Sequence, residues 1–383
     1  MNKITIAMIE VGYGHKGPAL ALQRALQDLL LDSGSVEVVD FPRYVGAFRS
    51  DRSLKNSWDM ALKSPFLVRG AYVAMEALYP RHGPLLRLML SDFFTLGGEY
   101  LRSAPPDLFI ATHPLCAMVA TAARRRYNLD FPVASLVVDP FDAYSLWADR
   151  AVDGFFVHSA EAHRRLLQHR IPEDRIKRVP YPQLPAMEVS QRNREEIRHE
   201  YGVGESGRPV ALVTSGAQGI GKVYGFVKRA FREGFPMDFL VVTGKNGDLY
   251  RDLSSLGEKT EAGSPRLISL SYVKNMGDLY AACDVVLGKA GASTFMEALR
   301  WRLPMVFTEW AGQNDYLLLQ YAVQNGVGWY APRYGAFIRT LASLAASQDR
   351  SIAQERMDVL DFRFGTDEIA DRLLQLQRNF GGF

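Results

Sequence analysis

Residues 283–301 read CDVVLGKAGASTFMEALRW, and the order of residue types in this stretch decides the fold of the chain. An apolar run, CDVVL, is followed by small residues and then by apolar side chains at helical spacing. Apolar runs without alternation are typical of strands buried on both faces of a parallel sheet. The stretch therefore predicts a strand, a tight glycine-rich loop and a helix, which is the repeating unit of a doubly wound α/β domain.

The same unit recurs along the 383 residues, a length that suits about two domains. Runs such as KITIAMIE and GFFVHS fill the first half, and a similar series restarts at PVALVTSG after a proline-rich and then charged segment. We therefore predict an N-terminal doubly wound domain over 1–185, a linker over 186–208, a second doubly wound domain over 209–360, and a C-terminal helix over 361–383 that packs back on the first domain.

Composition narrows the class of protein. The apolar content of 48% and the charged content of 23% are typical of a globular protein. No stretch approaches the roughly 18 consecutive apolar residues of a membrane-spanning helix, and the N-terminus does not read as a secretory signal. Cys116 and Cys283 lie in apolar stretches without metal-ligand spacing. We therefore expect buried, reduced thiols, a cytoplasmic location and no bound metal.

Residues 41–90 are the most basic part of the chain, with eight Lys or Arg against three Asp or Glu, whereas the net charge of the whole chain is +3. Such a segment fits the anionic inner face of the cell membrane, with Trp58, Phe66, Leu67 and Tyr72 entering the lipid. It equally fits helices that pack on the first domain. The low net charge and the lack of a recurring basic-aromatic stripe argue against nucleic-acid binding.

The loop over 288–294 leads into a predicted helix, where a phosphate would meet free N–H groups and the positive end of the helix dipole. Ser293 or Thr294 would cap this helix or donate a hydroxyl to the phosphate. Glu297, about one turn further on, would accept the two hydroxyls of a ribose. The alternative is an ordinary capping box between Thr294 and Glu297, and the local pattern fits both.

A second glycine-rich loop lies within residues 213–223 and contains Gly216. It follows a strand at the start of the second domain and suits a donor phosphate or an acceptor, or it is a flexible connector. Its order is not that of a Walker A motif, because Val223 follows the lysine, so ATP hydrolysis is disfavoured.

A third loop, over residues 10–21, follows the first strand and contains His15 among glycines in the Gly-x-Gly-x-x-Gly order. Asp40 lies roughly 20–30 positions further on, which leaves a dinucleotide-binding dehydrogenase open. An imidazole at the end of a strand suits removal of a proton from an attacking hydroxyl. The alternative is a solvated or capping histidine.

Polar side chains also follow two other predicted strands. Asp139 and Asp142 would orient His15 or receive a substrate hydroxyl, or they form turns. Gln313 and Asn314 carry amides that suit sugar hydroxyls, or they are loop residues and helix caps.

The order of these motifs resembles a known family over most of the chain. Residues 271–328 contain an aromatic residue before a Met-x-x-Leu helix, the KAGAST loop with its glutamate, a Gly-Gln loop and an Asn-Gly-x-Gly ending. GYGHKGPALAL resembles the Gly-Gly-Gly-His loop of the same family. The family is that of the monogalactosyldiacylglycerol synthases and processive diacylglycerol glucosyltransferases, which are similar to glycosyltransferase family 28.

The resemblance implies a GT-B fold, in which two Rossmann-like doubly wound domains face each other across a cleft. It also implies a UDP-sugar as donor substrate, no cofactor, and a diacylglycerol-like lipid or other hydrophobic acceptor. Carried over by position, His15 would lie near the reaction centre as catalytic base or acceptor-side ligand, and Asp139, a partial match, would be a second catalytic candidate. The donor-binding residues implied in the same way are Tyr272 and Val273 at the base, Gly291, Ala292, Ser293 and Thr294 at the diphosphate, Glu297 at the ribose, and Gln313 and Asn314 at the sugar. Gly216 is added to them from its own glycine-rich loop.

The chain departs from the family pattern at three places. Tyr13 breaks the glycine triplet, Asn314 stands in place of a glutamate, and no histidine follows Asp139 at the expected distance. We expect an inverting hexosyltransferase. The alternatives are an enzyme like UDP-N-acetylglucosamine 2-epimerase and a catalytically silent nucleotide-sugar-binding protein.

Overall fold

The structure is a computed structural model that describes residues 2–10, 13–63, 65–188, 190, 192–216, 218–258 and 263–380. Contacts between residues divide the chain into two compact units. The first unit consists of Met1–Gln183, Gly312–Asn314 and Asp361–Phe383, and the second of Leu184–Ala311 and Asp315–Leu360. Gly12, one of the glycines of the predicted loop 10–21, lies outside the described residues.

The first unit is built on a six-stranded parallel sheet with the strand order β2-β1-β3-β4-β5-β6. Its strands are β1 (Asn2–Met8), β2 (Gly34–Asp40), β3 (Leu108–Ala111), β4 (Val133–Leu136), β5 (Gly154–Val157) and β6 (Ile176–Arg178). The three central strands β3, β4 and β5 are buried along their whole length, as uninterrupted apolar runs predict. β6 escaped prediction because it has three residues, of which two are exposed and charged.

Helices connect these strands. They are α1 (Tyr13–Leu30), α2 (Phe41–Tyr44), α3 (Phe48–Lys63), α4 (Pro65–Leu78), α5 (His82–Met89), α6 (Ser91–Ser103), α7 (Pro114–Tyr127) and α8 (Ala160–Gln168). The loop predicted over 10–21 is shorter than expected, because α1 begins at Tyr13 and places His15 in its first turn. The buried face with Leu22 and Leu26 holds this helix together despite the roughly 1 kcal/mol that each of its glycines costs.

The basic segment over 41–90 forms α2 to α5, and polar contacts tie α4 to the first unit. The Tyr72 hydroxyl donates to Asp142 Oδ2 (2.7 Å), and Glu76 pairs with Arg165 (2.6 Å). Tyr72 therefore points into the protein, and the prediction that it enters lipid is wrong. The side chains of the other residues predicted for that role, Trp58, Phe66 and Leu67, lie outside the described part of the structure.

The second unit contains another six-stranded parallel sheet, with the order β12-β11-β10-β7-β8-β9. Its strands are β7 (Val210–Thr214), β8 (Asp238–Val242), β9 (Leu267–Leu270), β10 (Val285–Ala290), β11 (Met305–Trp310) and β12 (Gly328–Tyr330). Its helices are α9 (Arg194–Tyr201), α10 (Lys222–Arg232), α11 (Gly247–Gly257), α12 (Met276–Ala282), α13 (Ala292–Arg300), α14 (Gln313–Gln324), α15 (Tyr334–Ala345) and α16 (Ser347–Asp358). The first two residues of α14, Gln313 and Asn314, are grouped with the first unit.

The segment predicted as a linker over 186–208 contains the folded helix α9. Ile197 of this helix is fully buried, and Arg194 and Arg198 both pair with Asp284, which precedes β10. The charged residues that suggested a linker are therefore ion-pair partners that hold α9 against the second unit.

The last helix, α17 (Asp367–Asn379), is grouped with the first unit and packs against α1. Its residues Ile369 and Leu373 are fully buried in the apolar core of that unit. Cys116 and Cys283 are buried free thiols. Over the described residues, no helix combines the length and the apolar character that crossing a membrane requires.

Each sheet reverses its strand order at one point. In the first sheet the reversal lies between β1 and β3, and in the second between β7 and β10. Ligands of doubly wound proteins bind outside the carboxyl ends of the strands at such a point. The loops that lead into α1, α7, α10 and α13 are therefore where sites are expected.

Candidate functional site

His15 lies at the reversal point of the first sheet, in the first turn of α1. Its Nδ1 lies 2.5 Å from the carbonyl oxygen of Thr112. Because a carbonyl oxygen only accepts, Nδ1 carries the proton and Nε2 keeps a lone pair. Burial lowers the pKa of His15 below its usual value, and the hydrogen bond to Thr112 opposes this only in part. The side chain is therefore neutral at pH 7, as a general base must be.

His113 is a second histidine at the same point, and it is not among the residues predicted for the site. It precedes α7, and its ring centroid lies 4.8 Å from that of His15. Its Nδ1 accepts a hydrogen bond from the backbone N–H of Leu115 (3.3 Å). Burial, followed by the proximity of His15, lowers its pKa well below the usual value. The signal in the sequence was a histidine directly after the strand run LFIAT.

Asp139 does not orient His15 through Nδ1, because Thr112 occupies that position. Instead, the Asp139 carboxylate accepts from Trp147 Nε1 (2.8 Å) and from Asn314 Nδ2 (2.9 Å), and these residues belong to the first unit. Two residues predicted for the site, Asp139 and Asn314, are therefore in direct contact. Asp139 thus does not hold His15 Nδ1, and its role as a second catalytic residue stays a prediction.

Asp142, the other aspartate after β4, is almost fully buried and has a structural environment. It accepts hydrogen bonds from Tyr72 and from Arg165 Nε. Burial raises its pKa to about 6, although these hydrogen bonds lower it. This carboxyl anchors α4 and does not orient His15.

The start of α13 lies at the reversal point of the second sheet. Gly291 is the N-cap residue of α13, and because glycine has no side chain, no side-chain hydrogen bond caps the helix there. A Cβ atom added to Gly291 would meet nothing within 4 Å among the described residues. Ser293 Oγ is buried and has no hydrogen-bond partner there. The backbone N–H groups in the first turn of α13 and the Ser293 hydroxyl are therefore available to an anion.

Glu297 projects from α13 into a buried position, where the Tyr280 hydroxyl donates to its Oε2 (2.7 Å). Burial raises the pKa of Glu297 to about 7, while the Tyr280 hydrogen bond acts in the opposite direction. The capping box between Thr294 and Glu297 is not formed as proposed, because the N-cap is Gly291 and Thr294 is already in the helix. Glu297 is thus held in place by Tyr280 and not by the helix end.

The glycine-rich loop before α10 is built differently. Gly216 and Gly219 have positive φ angles, and an added Cβ at Gly219 would lie 2.0 Å from the carbonyl oxygen of Thr243. Glu309 Oε1 accepts from the backbone N–H of Lys222 (2.9 Å), so a carboxylate already occupies this helix N-terminus. Gly216 itself is open, since an added Cβ would meet nothing within 4 Å in the described structure.

The remaining predicted donor-binding residues lie at two places. Tyr272 and Val273 follow β9, and the Tyr272 side chain is 67% exposed, which leaves its ring face accessible to a base. Gln313 and Asn314 begin α14, and Gln313 Oε1 and Asn314 Oδ1 are buried without a partner among the described residues. Within the same residues, no group of three or more potential metal ligands is present.

Two family models match the sequence. Residues 15–182 match the model for monogalactosyldiacylglycerol (MGDG) synthase, and residues 210–343 match the C-terminal domain of glycosyltransferase family 28. Together these segments contain His15 and His113 of the first unit and the start of α13 in the second.

Named relatives agree with these models. The chain is 24% identical to a probable monogalactosyldiacylglycerol synthase of Glycine max, over 86% of this chain and 62% of that protein. It is 23% identical to the processive diacylglycerol beta-glucosyltransferase of Staphylococcus saprophyticus, over 98% of this chain and 93% of that protein. The chain spans 62% of the length of the relatives from Glycine max, Arabidopsis thaliana and Nicotiana tabacum.

Solved structures show the same fold. MurG of Acinetobacter baumannii superposes with a TM-score of 0.61 at 13% identity, covering 98% of this chain and 100% of MurG. A UDP-GlcNAc 2-epimerase of Neisseria meningitidis bound to UDP-GlcNAc gives 0.60 at 12% identity, covering 99% and 100%. The prediction of two Rossmann-like doubly wound units of the GT-B class is confirmed. The fold alone does not separate a transferase from an epimerase.

Proposed function

Because this chain belongs to the family of monogalactosyldiacylglycerol synthases and processive diacylglycerol glucosyltransferases, with a family 28 C-terminal domain, we propose that it is a hexosyltransferase. It moves a hexosyl residue from a UDP-sugar to a hydroxyl of a lipid of the diacylglycerol type. The sequence matches favour this function over an epimerase, whose similarity to the chain is one of fold.

The observation that carries the proposal is the uncapped start of α13. A diphosphate bound there receives hydrogen bonds from the first N–H groups of the helix and from Ser293 Oγ, which has no other partner in the described structure. Gly291 leaves room for the ligand to approach the backbone. The helix dipole adds a favourable interaction of about 0.3–1 kcal/mol with the negative charge.

Glu297 gives this anion site its selectivity for a nucleotide. It follows Ser293 by about one helical turn, and Tyr280 fixes one of its oxygens. A carboxylate held in this way accepts hydrogen bonds from the two hydroxyls of a ribose. Exposed Tyr272 supplies an aromatic surface for the base, and Gln313 and Asn314 supply amides for the sugar.

His15 is the proposed base. The acceptor oxygen forms a bond to the anomeric carbon of the donor, and the bond between that carbon and the diphosphate oxygen breaks. The electron pair of the broken bond leaves with UDP, and the hydroxyl proton passes to His15 Nε2. A single displacement of this kind inverts the anomeric configuration.

We propose that the step needs no metal or other cofactor. The leaving diphosphate gains negative charge, and the N–H groups at the start of α13 are donors already aimed at that charge. Their orientation is fixed by the fold, so little reorganisation is required during the reaction.

The lipid acceptor requires contact with a membrane, and α5 is the proposed contact. Leu85, Leu88 and Met89 share one face of this helix and are 45%, 76% and 66% exposed. The exposed side chains of Arg81 and Arg87 flank them. An apolar face bordered by arginines suits the surface of an anionic bilayer. These residues take the place of Tyr72, which points into the protein.

Vesicle sedimentation tests this contact. We expect the protein to pellet with vesicles of phosphatidylcholine and phosphatidylglycerol more than with phosphatidylcholine alone. The double variant Leu88→Ser, Met89→Ser should weaken this binding about tenfold. Full burial of such a side chain contributes about 1–2 kcal/mol, and at the bilayer surface each one is buried only in part. The control is Val359→Ser, at an 82% exposed position of the second unit. If Val359→Ser weakens vesicle binding as much as the double variant does, α5 is not the contact with the bilayer.

The central experiment tests transfer itself. The protein is incubated with UDP-glucose, UDP-galactose or UDP-N-acetylglucosamine and vesicles that contain diacylglycerol, and products are identified by mass spectrometry and by the anomeric coupling in proton NMR. We expect a β-glycolipid. His15→Ala should lower turnover by about 10²- to 10⁴-fold with UDP-sugar affinity unchanged, and His163→Ala on α8 is the matched control.

Three results would contradict the proposal in different ways. Conversion of UDP-N-acetylglucosamine without an acceptor would establish the epimerase alternative. Binding of UDP-sugars without any product would indicate a silent nucleotide-sugar-binding protein. A retained anomeric configuration would exclude the single displacement.

A further inference from the structure

We propose that His113 is a second catalytic residue of the first unit, and that its Nε2–H donates a hydrogen bond to the same acceptor hydroxyl whose proton His15 removes. This inference rests on the proposed function. It concerns how the acceptor is bound, whereas the family assignment and the uncapped start of α13 concern the donor.

The two histidines lie at the same edge of the first sheet. β1 and β3 are neighbouring parallel strands in which Ala7 pairs with Ala111, so both strands end at the same carboxyl edge of the sheet. His15 lies in the first turn of α1 after β1, and His113 precedes α7 after β3. This is the reversal point of the first sheet, where doubly wound folds bind ligands.

The two imidazole rings have opposite tautomers. Thr112 accepts a hydrogen bond from His15 Nδ1, so the lone pair of His15 is on Nε2. The Leu115 N–H donates to His113 Nδ1, so the proton of neutral His113 is on Nε2. The pair therefore offers one acceptor nitrogen and one donor nitrogen with ring centroids 4.8 Å apart.

Both of these nitrogens are available to a ligand. Among the residues that the structure describes, no hydrogen-bond partner contacts Nε2 of His15 or Nε2 of His113. Both residues are mostly buried but keep some exposed surface, through which a ligand reaches them from solvent. Burial also keeps both imidazoles neutral, because the pKa of each is lowered.

A hydroxyl group matches this pair, because it donates one hydrogen bond and accepts another. In the transfer step its proton passes to His15 Nε2, its oxygen bonds to the anomeric carbon, and the electron pair of the carbon–diphosphate bond leaves with UDP. His113 keeps its proton throughout. As negative charge develops on the acceptor oxygen, the hydrogen bond from His113 strengthens, so it stabilises the transition state more than the bound acceptor.

The test is the variant His113→Asn. Asparagine is a favoured N-cap residue and still accepts from the Leu115 N–H, but it has no group in the place of Nε2–H. We expect kcat to fall about 10- to 100-fold, with unchanged UDP-sugar affinity and unchanged thermal stability. His113→Ala should show the same fall in kcat. It should also have a lower melting temperature, because the N-cap of α7 is lost as well.

Two further measurements separate catalysis from capping. The double variant His15→Ala, His113→Asn should be no slower than His15→Ala alone, since both residues act on one hydroxyl in one step. Nitrogen-15 NMR of the imidazole rings should show His15 protonated at Nδ1 and His113 at Nε2, and this measurement requires no turnover.

The outcomes are distinct from those of the proposed function. If the wild-type protein forms glycolipid and His113→Asn retains kcat within twofold, the role of His113 is overturned and the transferase function stands. The same tautomer in both rings would also overturn it. If the wild-type protein forms no product with any donor, the transferase function falls, and the binding of an acceptor hydroxyl by the pair falls with it.

Discussion

The second unit contains two helix N-termini that look alike in the sequence and differ in the structure. α10 and α13 both follow glycine-rich turns after neighbouring central strands, β7 and β10. At α10, the Glu309 carboxylate accepts from the Lys222 N–H. At α13, the N-cap is Gly291, and among the described residues no partner contacts Ser293 Oγ.

The difference shows how to recognise an anion site among similar loops. A helix N-terminus attracts negative charge, and the protein supplies that charge itself at α10 and leaves it to a ligand at α13. The glycines differ accordingly. Gly219 is required by a positive φ and by the approach of Thr243, whereas nothing in the described structure lies near Gly291 that would require a glycine. Small residues that the fold does not require indicate space for a ligand.

The largest expected effect is a loss of stability caused by a substitution in the loop before α10. Gly219→Ala should destabilise the protein by about 3 kcal/mol, because its φ is +59° and the new Cβ would lie 2.0 Å from the Thr243 carbonyl oxygen. Gly291→Ala is the matched control and should change stability by less than about 0.5 kcal/mol. Thermal and urea unfolding of the full chain measure both. Similar destabilisation by the two substitutions would contradict the comparison.

A second substitution would make α13 resemble α10. Gly291→Asp places a carboxylate at the N-cap, in the extended conformation that capping residues adopt, with φ −143° and ψ 135°. We expect the helix to gain about 1 kcal/mol of stability and UDP-sugar affinity to fall about 100-fold, since the new carboxylate competes for the same N–H groups. Calorimetry checks both values, and undiminished affinity would place the diphosphate elsewhere.

The protonation of Glu297 sharpens the description of the α13 site. Its pKa is raised to about 7 by burial, and the charged form is the one that accepts ribose hydroxyls. Affinity for UDP-glucose should therefore rise about tenfold between about pH 6 and pH 8, and Glu297→Gln should abolish this dependence. Tyr280→Phe removes the hydrogen bond that lowers this pKa, so the rise should move to higher pH. A shift to lower pH, or no dependence in the wild type, would be inconsistent with this role.

The smallest effect concerns the hydroxyl without a partner. Ser293→Ala should weaken UDP-sugar binding about fivefold, the value of about one hydrogen bond of 1 kcal/mol. Ser351→Ala, on the exposed face of α16, serves as the control. If both variants bind UDP-sugar as the wild type does, Ser293 Oγ does not contact the ligand.

Much of the candidate site could be selected from the sequence, because chemistry in doubly wound folds follows the ends of strands. His15, Gly291, Ser293 and Glu297 were all selected in this way from short segments. His113 was not, because a single histidine in the ATHP segment gains meaning only when β3 pairs with β1 and brings it to His15. The wrong predictions share this cause. Tyr72 has an amphipathic neighbourhood in sequence, but its partner Asp142 is 70 residues away.

The sequence by itself determined the architecture of this protein. Apolar runs and helical spacing are local properties, and they specify parallel strands, crossover helices and the two sheets because each segment must bury its own apolar face. The tertiary structure alone decided which helix N-terminus is open, which carboxylate is buried beside Tyr280, and which two imidazoles face one another. These features depend on groups far apart in the chain, whose contacts exist only after the sheets have formed.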